Sequence, residues 1–276
     1  MKKLLIALSL LCVPTTYAHP FPAWALFWKA RQEIPVKHSP IIPKVITIEV
    51  IDPVNFKELK ANLIKAVKSD EIKGIILTVN CNGGKLSDFS PIHDIVKKAS
   101  LKKPVIALVE GNAYSGGYMV ASATNYIIVS SGSMVGNIGV ILEVKRYTNS
   151  KVKGEVEADM EVTVIKAGEF KDVYHPYGSP LTEMDKEYIS DFAAKLYQSF
   201  IHTVAQNRNI KVEDYKEWAE AKDFLAVEAK ELGLIDSIGT LFEAEDKILE
   251  MIKERNPNTE FGNSVEQVFF PNTPAK

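Results

Sequence analysis

The 276-residue chain is 46% hydrophobic and carries 33 Lys+Arg against 35 Asp+Glu, which is enough apolar material for one well-filled domain of roughly 200–250 residues. This near-neutral balance provides no basic field to gather nucleic acid, and nucleic-acid partners are therefore not expected. The two cysteines are Cys12 and Cys81; with one of them in the leading apolar segment, no disulfide framework is expected and the core must hold the fold unaided.

The chain opens with Lys2 and Lys3, an apolar run from Leu4 to Val13, Pro14 and the small-residue site Thr16-Tyr17-Ala18. This order predicts an export signal over residues 1–18 with cleavage after Ala18. The run is too short to span a bilayer as a helix. Residues 19–44 are rich in proline and aromatic residues without periodicity and read as a linker or membrane-proximal arm. Phe21, Trp24, Phe27 and Trp28 give that arm a surface for peripheral membrane contact.

A folded domain is expected over 45–256. VITIEVI (45–51) reads as a buried strand, and Phe56, Leu59, Leu63, Ile64 and Val67 follow at helical spacing. A second strand, 74–80, ends at the turn Cys81-Asn82-Gly83-Gly84, and a helix follows over 86–99. The strand 104–111 then leads to Ser115-Gly116-Gly117. This β-α-β-α-β-α alternation predicts an α/β fold with a parallel sheet, whose chemistry lies beyond the carboxyl ends of the strands. Further strands are expected at 125–131, 138–144 and 161–168, with a polar loop or surface hairpin between Lys145 and Met160. Met184, Tyr188, Phe192, Leu196, Phe200 and Val204 fall at steps of four and mark a long helix that Thr182 can cap. A helix-turn unit over 212–233 ends at Gly233, a last helix runs from Leu241 to Glu254, and Pro257 stops it. The tail, 257–276, holds an apolar cluster of Val265, Val268, Phe269 and Phe270 able to dock on this chain or a neighbour.

A serine between a strand and a helix, followed by two glycines, exposes a hydroxyl beside free backbone N–H groups, so Ser115 is the candidate nucleophile. A hydroxyl needs a base. None of the five histidines sits in a setting that singles it out, and His93, His175 and His202 suit helix faces or a loop. Lysine is the alternative where burial favours its neutral form. VIKAGEFKDV offers Lys166, within a strand-like run, and Lys171, beyond a Gly-containing turn.

The segment AYSGGYMVASATNYIIVSSGSMVGNIGV, followed by IKAGEFKDVYHPY, resembles the signal peptide peptidase A family. So do FIHTVAQNRNI (200–210) and AVEAKELGLIDSIGT (226–240). The resemblance implies a Clp-protease/crotonase-like fold of repeated β-β-α units with a parallel sheet and C-terminal helices. It also implies a Ser-Lys dyad of Ser115 and Lys171, with Gly83, Gly84 and Gly116 at the oxyanion hole. The family's Ser-Pro-Gly-Gly turn is Cys81-Asn82-Gly83-Gly84 here, and its Gly-Ser-Ile-Gly is Gly136-Asn137-Ile138-Gly139, so Asn137 takes the lysine-orienting position. The expected activity is serine endopeptidase action on hydrophobic peptides such as cleaved signal peptides. It needs no cofactor or metal and belongs to a homo-oligomeric ring, in the periplasm or at the outer face of the inner membrane. The departures at Asn137 and Cys81-Asn82 keep a second reading open, a non-catalytic scaffold that binds apolar peptides. A Clp-type Ser-His-Asp enzyme is disfavoured because no histidine lies between His93 and His175. A crotonase-type acyl-CoA enzyme is disfavoured by the export signal.

Overall fold

The computed structural model describes residues 39–146, 163–268 and 270. The export signal, most of the arm, residues 147–160 of the charged stretch and Phe269 of the tail lie outside the described residues. The chain divides into a short unit, Met1–Pro40, and a large one, Ile41–Lys276, whose fold follows.

The large unit begins with the expected alternation: β1 (Lys44–Ile51), α1 (Phe56–Lys68), β2 (Ile72–Cys81), α2 (Leu86–Lys102), β3 (Val105–Tyr114), α3 (Gly116–Ser122) and β4 (Tyr126–Val129). It continues through β5 (Met134–Gly136), α4 (Glu183–Arg208), α5 (Tyr215–Trp218), β6 (Asp223–Leu225), α6 (Ala226–Glu231), β7 (Ser237–Ile238), α7 (Leu241–Arg255) and β8 (Glu266–Val268). The sheet runs β6-β5-β3-β2-β1-β8, with β4 on β3 and β7 on β4. Among the described residues every strand pairing is parallel except β5 with β6.

Near-continuous β-branched runs make these strands because both faces of a parallel sheet are covered. Ile75, Leu77, Val105, Ala107 and Val109 face one layer with α1, α2 and α3. The alternate residues Ile76, Ile106, Leu108 and Ile128 face Ile248, Leu249 and Ile252 of α7. The helix starts are capped as their sequences suggest. Asn55 accepts from Glu58 N–H, and Thr182 with Asp185 forms a reciprocal box at α4. Gly233 takes a left-handed φ of 74° just past α6. The tail docks on this chain: β8 extends the sheet beside β1, and Phe270 lies under the Lys65 ammonium at 4.0 Å.

Two expected strands are not found among the described residues. Residues 138–144 carry no strand; Ile138 is buried while Ile141 is 84% exposed. Alternation reports which side chains prefer burial, but a strand also needs a neighbour, and β5 has already ended at Gly136. Residues 163–168, the described part of 161–168, are likewise without strand structure, and Ile165 is 92% exposed. Along α4 the four-residue stripe splits. Phe200 and Val204 are buried in the core, whereas Met184, Tyr188 and Phe192 are 50%, 40% and 42% exposed. Among the described residues no helix is long and apolar enough to cross a membrane.

Candidate functional site

Strand β3 changes partner along its length. Ile106–Val109 pairs with β4, and Asn112–Tyr114 pairs with β5. The splay between β4 and β5 opens the sheet where β3 hands over to α3, and Ser115 sits at that junction with φ 49° and ψ −117°. Positive φ at a non-glycine residue is strained, on the order of 1–3 kcal/mol, and is kept only where the surroundings over-determine it. Here Ser115 N–H donates to Gly136 O at 2.9 Å, and Ser115 O accepts from Met119 N–H at 2.9 Å. The turn fixes the direction of the hydroxyl and leaves the residue half-buried.

The turn at the end of β2 lies against it. A Cβ built on Gly83 would stand 2.7 Å from Ser115 Cβ and 2.8 Å from Gly116 N. One built on Gly117 would stand 2.7 Å from Cys81 O, so the two glycine-rich turns interlock backbone to backbone. Gly84, Ser115, Gly116 and Asn137 share a cleft of about 520 Å³. Its walls are mostly apolar: Leu86, Met119, Val140, Ile141, Leu142, Leu196 and Phe200. A second cavity of about 600 Å³ lies over β1 and α1, against Glu49, Asn55 and Glu58, and none of Gly83, Gly84, Ser115 or Gly116 lines it.

Asn137 adopts φ 50°, a conformation that asparagine tolerates better than most residues. Its Nδ2 donates to Asp223 Oδ1 at 3.1 Å and, at 3.4 Å, to Ala221 O. The carboxamide is thus oriented by β6 and the turn before it.

The two candidate lysines, Lys166 and Lys171, do not join this group. Lys171 is the one that the resemblance marks as base. It is exposed, closes a turn with its N–H on Gly168 O at 3.3 Å, and is not among the residues lining the cleft. Among the described residues its side chain makes no hydrogen bond or ion pair. Lys166 is engaged instead, 2.6 Å from Asp172 Oδ1 and 2.9 Å from Glu169 O. Hydrogen bonding to the Lys166 ammonium holds the Asp172 carboxyl below its ordinary range. Phe170, next to Lys171, stacks on Tyr188 of α4 with centroids 4.3 Å apart.

Arg146 anchors the lysine loop, a contact without a local sequence signal. Its Nη1 donates to Asp172 O and His175 O at 3.1 and 2.6 Å, and its Nη2 to Val173 O at 3.1 Å. The planar fork lets two nitrogens of one side chain serve three carbonyls in a fixed geometry. Arg146→Ala is expected to free the loop, with trypsin cutting after Lys171 about fivefold faster or more as local opening becomes cheaper. Arg146→Lys should recover little of that protection, and unchanged cutting in Arg146→Ala would show that the loop holds itself.

The Peptidase family S49 model matches residues 97–254, and the Clp protease model matches residues 44–134. A Methanocaldococcus jannaschii protein that carries a protease name is 34% identical over 196 residues, 71% of this chain and 61% of that protein. An Enterococcus faecium protein named as a signal peptide peptidase is 28% identical over 220 residues, 76% of this chain and 62% of that protein. The chain thus spans less than two thirds of these relatives' lengths. A solved variant of the 1510-N membrane-bound stomatin-specific protease superposes with a TM-score of 0.53 at 16% identity, covering 85% of this chain and all of that one, a likeness of fold. The fold is Clp-protease-like, and with the S49 model spanning more than half of its length, from α2 to α7, the chain belongs to peptidase family S49.

Proposed function

We propose that this chain is a serine endopeptidase acting on hydrophobic peptides such as cleaved signal peptides, with Ser115 as nucleophile and Lys171 as general base. The observation that carries the proposal is the strained Ser115 turn, interlocked with the Gly83-Gly84 turn and facing an apolar cleft. Neutral Lys171 takes the Ser115 hydroxyl proton as Oγ attacks the peptide carbonyl carbon, and the carbonyl π pair moves to oxygen. Gly116 N–H and Gly84 N–H hold that oxyanion. Gly84 is preferred over Gly83 because it faces the cleft, whereas Gly83 N–H donates to Cys81 Sγ at 3.4 Å. Collapse breaks the C–N bond, the amine leaves with the proton from Lys171, and water repeats the sequence on the acyl-enzyme.

A lysine serves as base only where burial favours its neutral form, and within one chain Lys171 is exposed. Met184, Tyr188 and Phe192 present an apolar stripe on α4 beside the lysine loop. Both features favour a homo-oligomeric ring in which a neighbouring copy covers this face and brings Lys171 to a Ser115. Asn137 Oδ1, at the cleft, is the group to accept from the lysine ammonium. The leading signal and the aromatic arm favour export to the periplasm or the outer face of the inner membrane, with peripheral contact through residues 21–28. The position of Lys171 also favours the second reading, an apolar-peptide scaffold without turnover.

A fluorophosphonate probe separates the two. Wild type should be labelled at Ser115, and Ser115→Ala and Lys171→Ala should each lose roughly 10³-fold or more in turnover of an apolar fluorogenic peptide, as residues acting as one unit do. Mixing the two inactive variants should restore part of the activity if neighbours share the dyad. Unlabelled, well-folded wild type with equal turnover by all three proteins sinks the peptidase reading.

A further inference from the structure

The register of β1 on β2 pairs Ile51 with Asn80. Asp52, the residue just after β1, therefore arrives beside the end of β2 and the turn Cys81-Asn82-Gly83-Gly84. Asp52 N–H donates to Asn80 O at 3.1 Å, which fixes the backbone of the acid. Its carboxylate then holds the turn at two points. Oδ1 accepts from Cys81 Sγ–H at 3.2 Å, and Oδ2 accepts from Asn82 N–H at 2.7 Å. The chain of bonds goes one step further, because Cys81 Sγ accepts from Gly83 N–H at 3.4 Å. Asn82 is tied from its other side by Asn112 Nδ2, 3.4 Å from its Oδ1.

From this geometry, resting on the peptidase reading above, we infer that Asp52 is a positioning residue that sets the oxyanion turn through Cys81 and Asn82. The turn lacks the proline that would fix a φ angle. Two acceptor oxygens on one rigid carboxylate replace that constraint by holding donors of two consecutive residues of the turn. With Gly83 N–H engaged by sulfur, the next N–H, that of Gly84, is the one left to face the cleft. Cys81 takes part as a thiol. Its side chain is fully buried, and burial, with the Asp52 carboxylate adding to it, pushes the thiol up to about 12, which keeps the S–H bond that Asp52 needs. An acid at this place acts through the turn and touches no substrate, so its effect falls on the transition state, where the carbonyl oxygen becomes an oxyanion, and not on the bound peptide.

The test uses the full chain and four variants: Asp52→Asn, Asp52→Ala, Cys81→Ala and Cys81→Ser. Asp52→Asn keeps one acceptor for Asn82 N–H and puts an amide donor where the second acceptor was. Asp52→Ala loses both, and Cys81→Ala removes the link to Gly83. With an apolar fluorogenic peptide amide, kcat should fall about 10- to 100-fold in Asp52→Ala, and about 10-fold in Asp52→Asn and Cys81→Ala, with KM within about twofold, as for a misplaced oxyanion donor. Cys81→Ser restores a hydroxyl that donates to Asp52 and accepts from Gly83, so its kcat should lie between wild type and Cys81→Ala. Affinity for a tri-leucine aldehyde, whose hemiacetal oxygen occupies the oxyanion site, should fall in step with kcat. Affinity for the corresponding free acid should not move.

Wild-type kcat in Asp52→Ala overturns the inference, as does equal loss of aldehyde and free-acid binding, which would mark a purely structural role. If Asp52→Ala fails to fold, Asp52→Asn and Cys81→Ala decide by the same two measurements. A wild-type chain that neither labels at Ser115 nor cleaves the peptide overturns the peptidase reading and this inference with it, and so is told apart from failure of the inference alone.

Discussion

Gly83→Ala is expected to lower kcat about 10²–10³-fold while the domain stays folded. Gly83 has φ 93°, where a side chain is strained whatever the space, and the space is also missing. The added Cβ would stand 2.7 Å from Ser115 Cβ, 2.8 Å from Gly116 N and 2.9 Å from Tyr114 O. None of these atoms can yield. Ser115 is held at φ 49° between Gly136 O and Met119 N–H, and Gly116 is backed by the Phe89 ring, 2.5 Å from where its own Cβ would be. The Gly83-Gly84 turn must therefore swing away, which withdraws an oxyanion donor, and loss of one such donor costs about 10²–10³ in kcat. The core strands behind the turn do not depend on it, so the circular dichroism spectrum should match wild type. Gly132→Ala, where a Cβ meets nothing within 4 Å and φ is ordinary, serves as the neutral comparison. A Gly83→Ala enzyme within threefold of wild type would mean that the turn moves freely and that its geometry does not govern the chemistry.

What the sequence revealed and what it hid divide along a physical line. The βαβαβ core was legible because a strand covered on both faces must be apolar throughout, and the helices between strands must carry a stripe. The glycines at 83, 84, 116 and 117 were legible because close backbone approach admits no other residue, so geometry is written directly as composition. The expected strand at 138–144 failed because alternation records burial and is silent on whether a partner strand arrives. The α4 stripe was legible as a helix, but the same pattern does not say that its first half leaves the core at Phe192. Lys171 was singled out by its motif, yet its distance from the cleft depends on a loop pinned by Arg146 and on what covers it, neither of which is local. Asp52 carries no signal of its own, because one acid before a proline reads as a turn. Only the β1 to β2 register brings it to Cys81 and Asn82.

The largest loss of stability is expected from breaking the pair of Arg208 and Asp236. Arg208 ends α4 and Asp236 leads into β7. The guanidinium donates Nη1 to Asp236 Oδ2 and Nη2 to Asp236 Oδ1, both at 2.9 Å, and Nε to Gly233 O at 3.1 Å. Asp236 Oδ2 also accepts from Ile127 N–H of β4 at 2.7 Å, and Tyr118 OH of α3 donates to Leu234 O at 2.7 Å. One ion pair thus joins the long helix, the sheet edge and the segment that holds the nucleophile helix. With the Arg208 side chain 7% exposed and that of Asp236 28% exposed, removal of Asp236 strands the guanidinium in poor solvent. Asp236→Ala should cost about 3–5 kcal/mol, the usual range for an unpaired buried charge, and Arg208→Ala less, because the half-open carboxylate regains water. Replacing both, as Arg208→Met with Asp236→Leu, should cost less than Asp236→Ala alone, since no charge is left behind. Urea unfolding checks all three, with the midpoint shifting and the slope held. If Asp236→Ala loses under about 1 kcal/mol, the guanidinium finds water where the structure encloses it, and the pair is no more than a surface bridge.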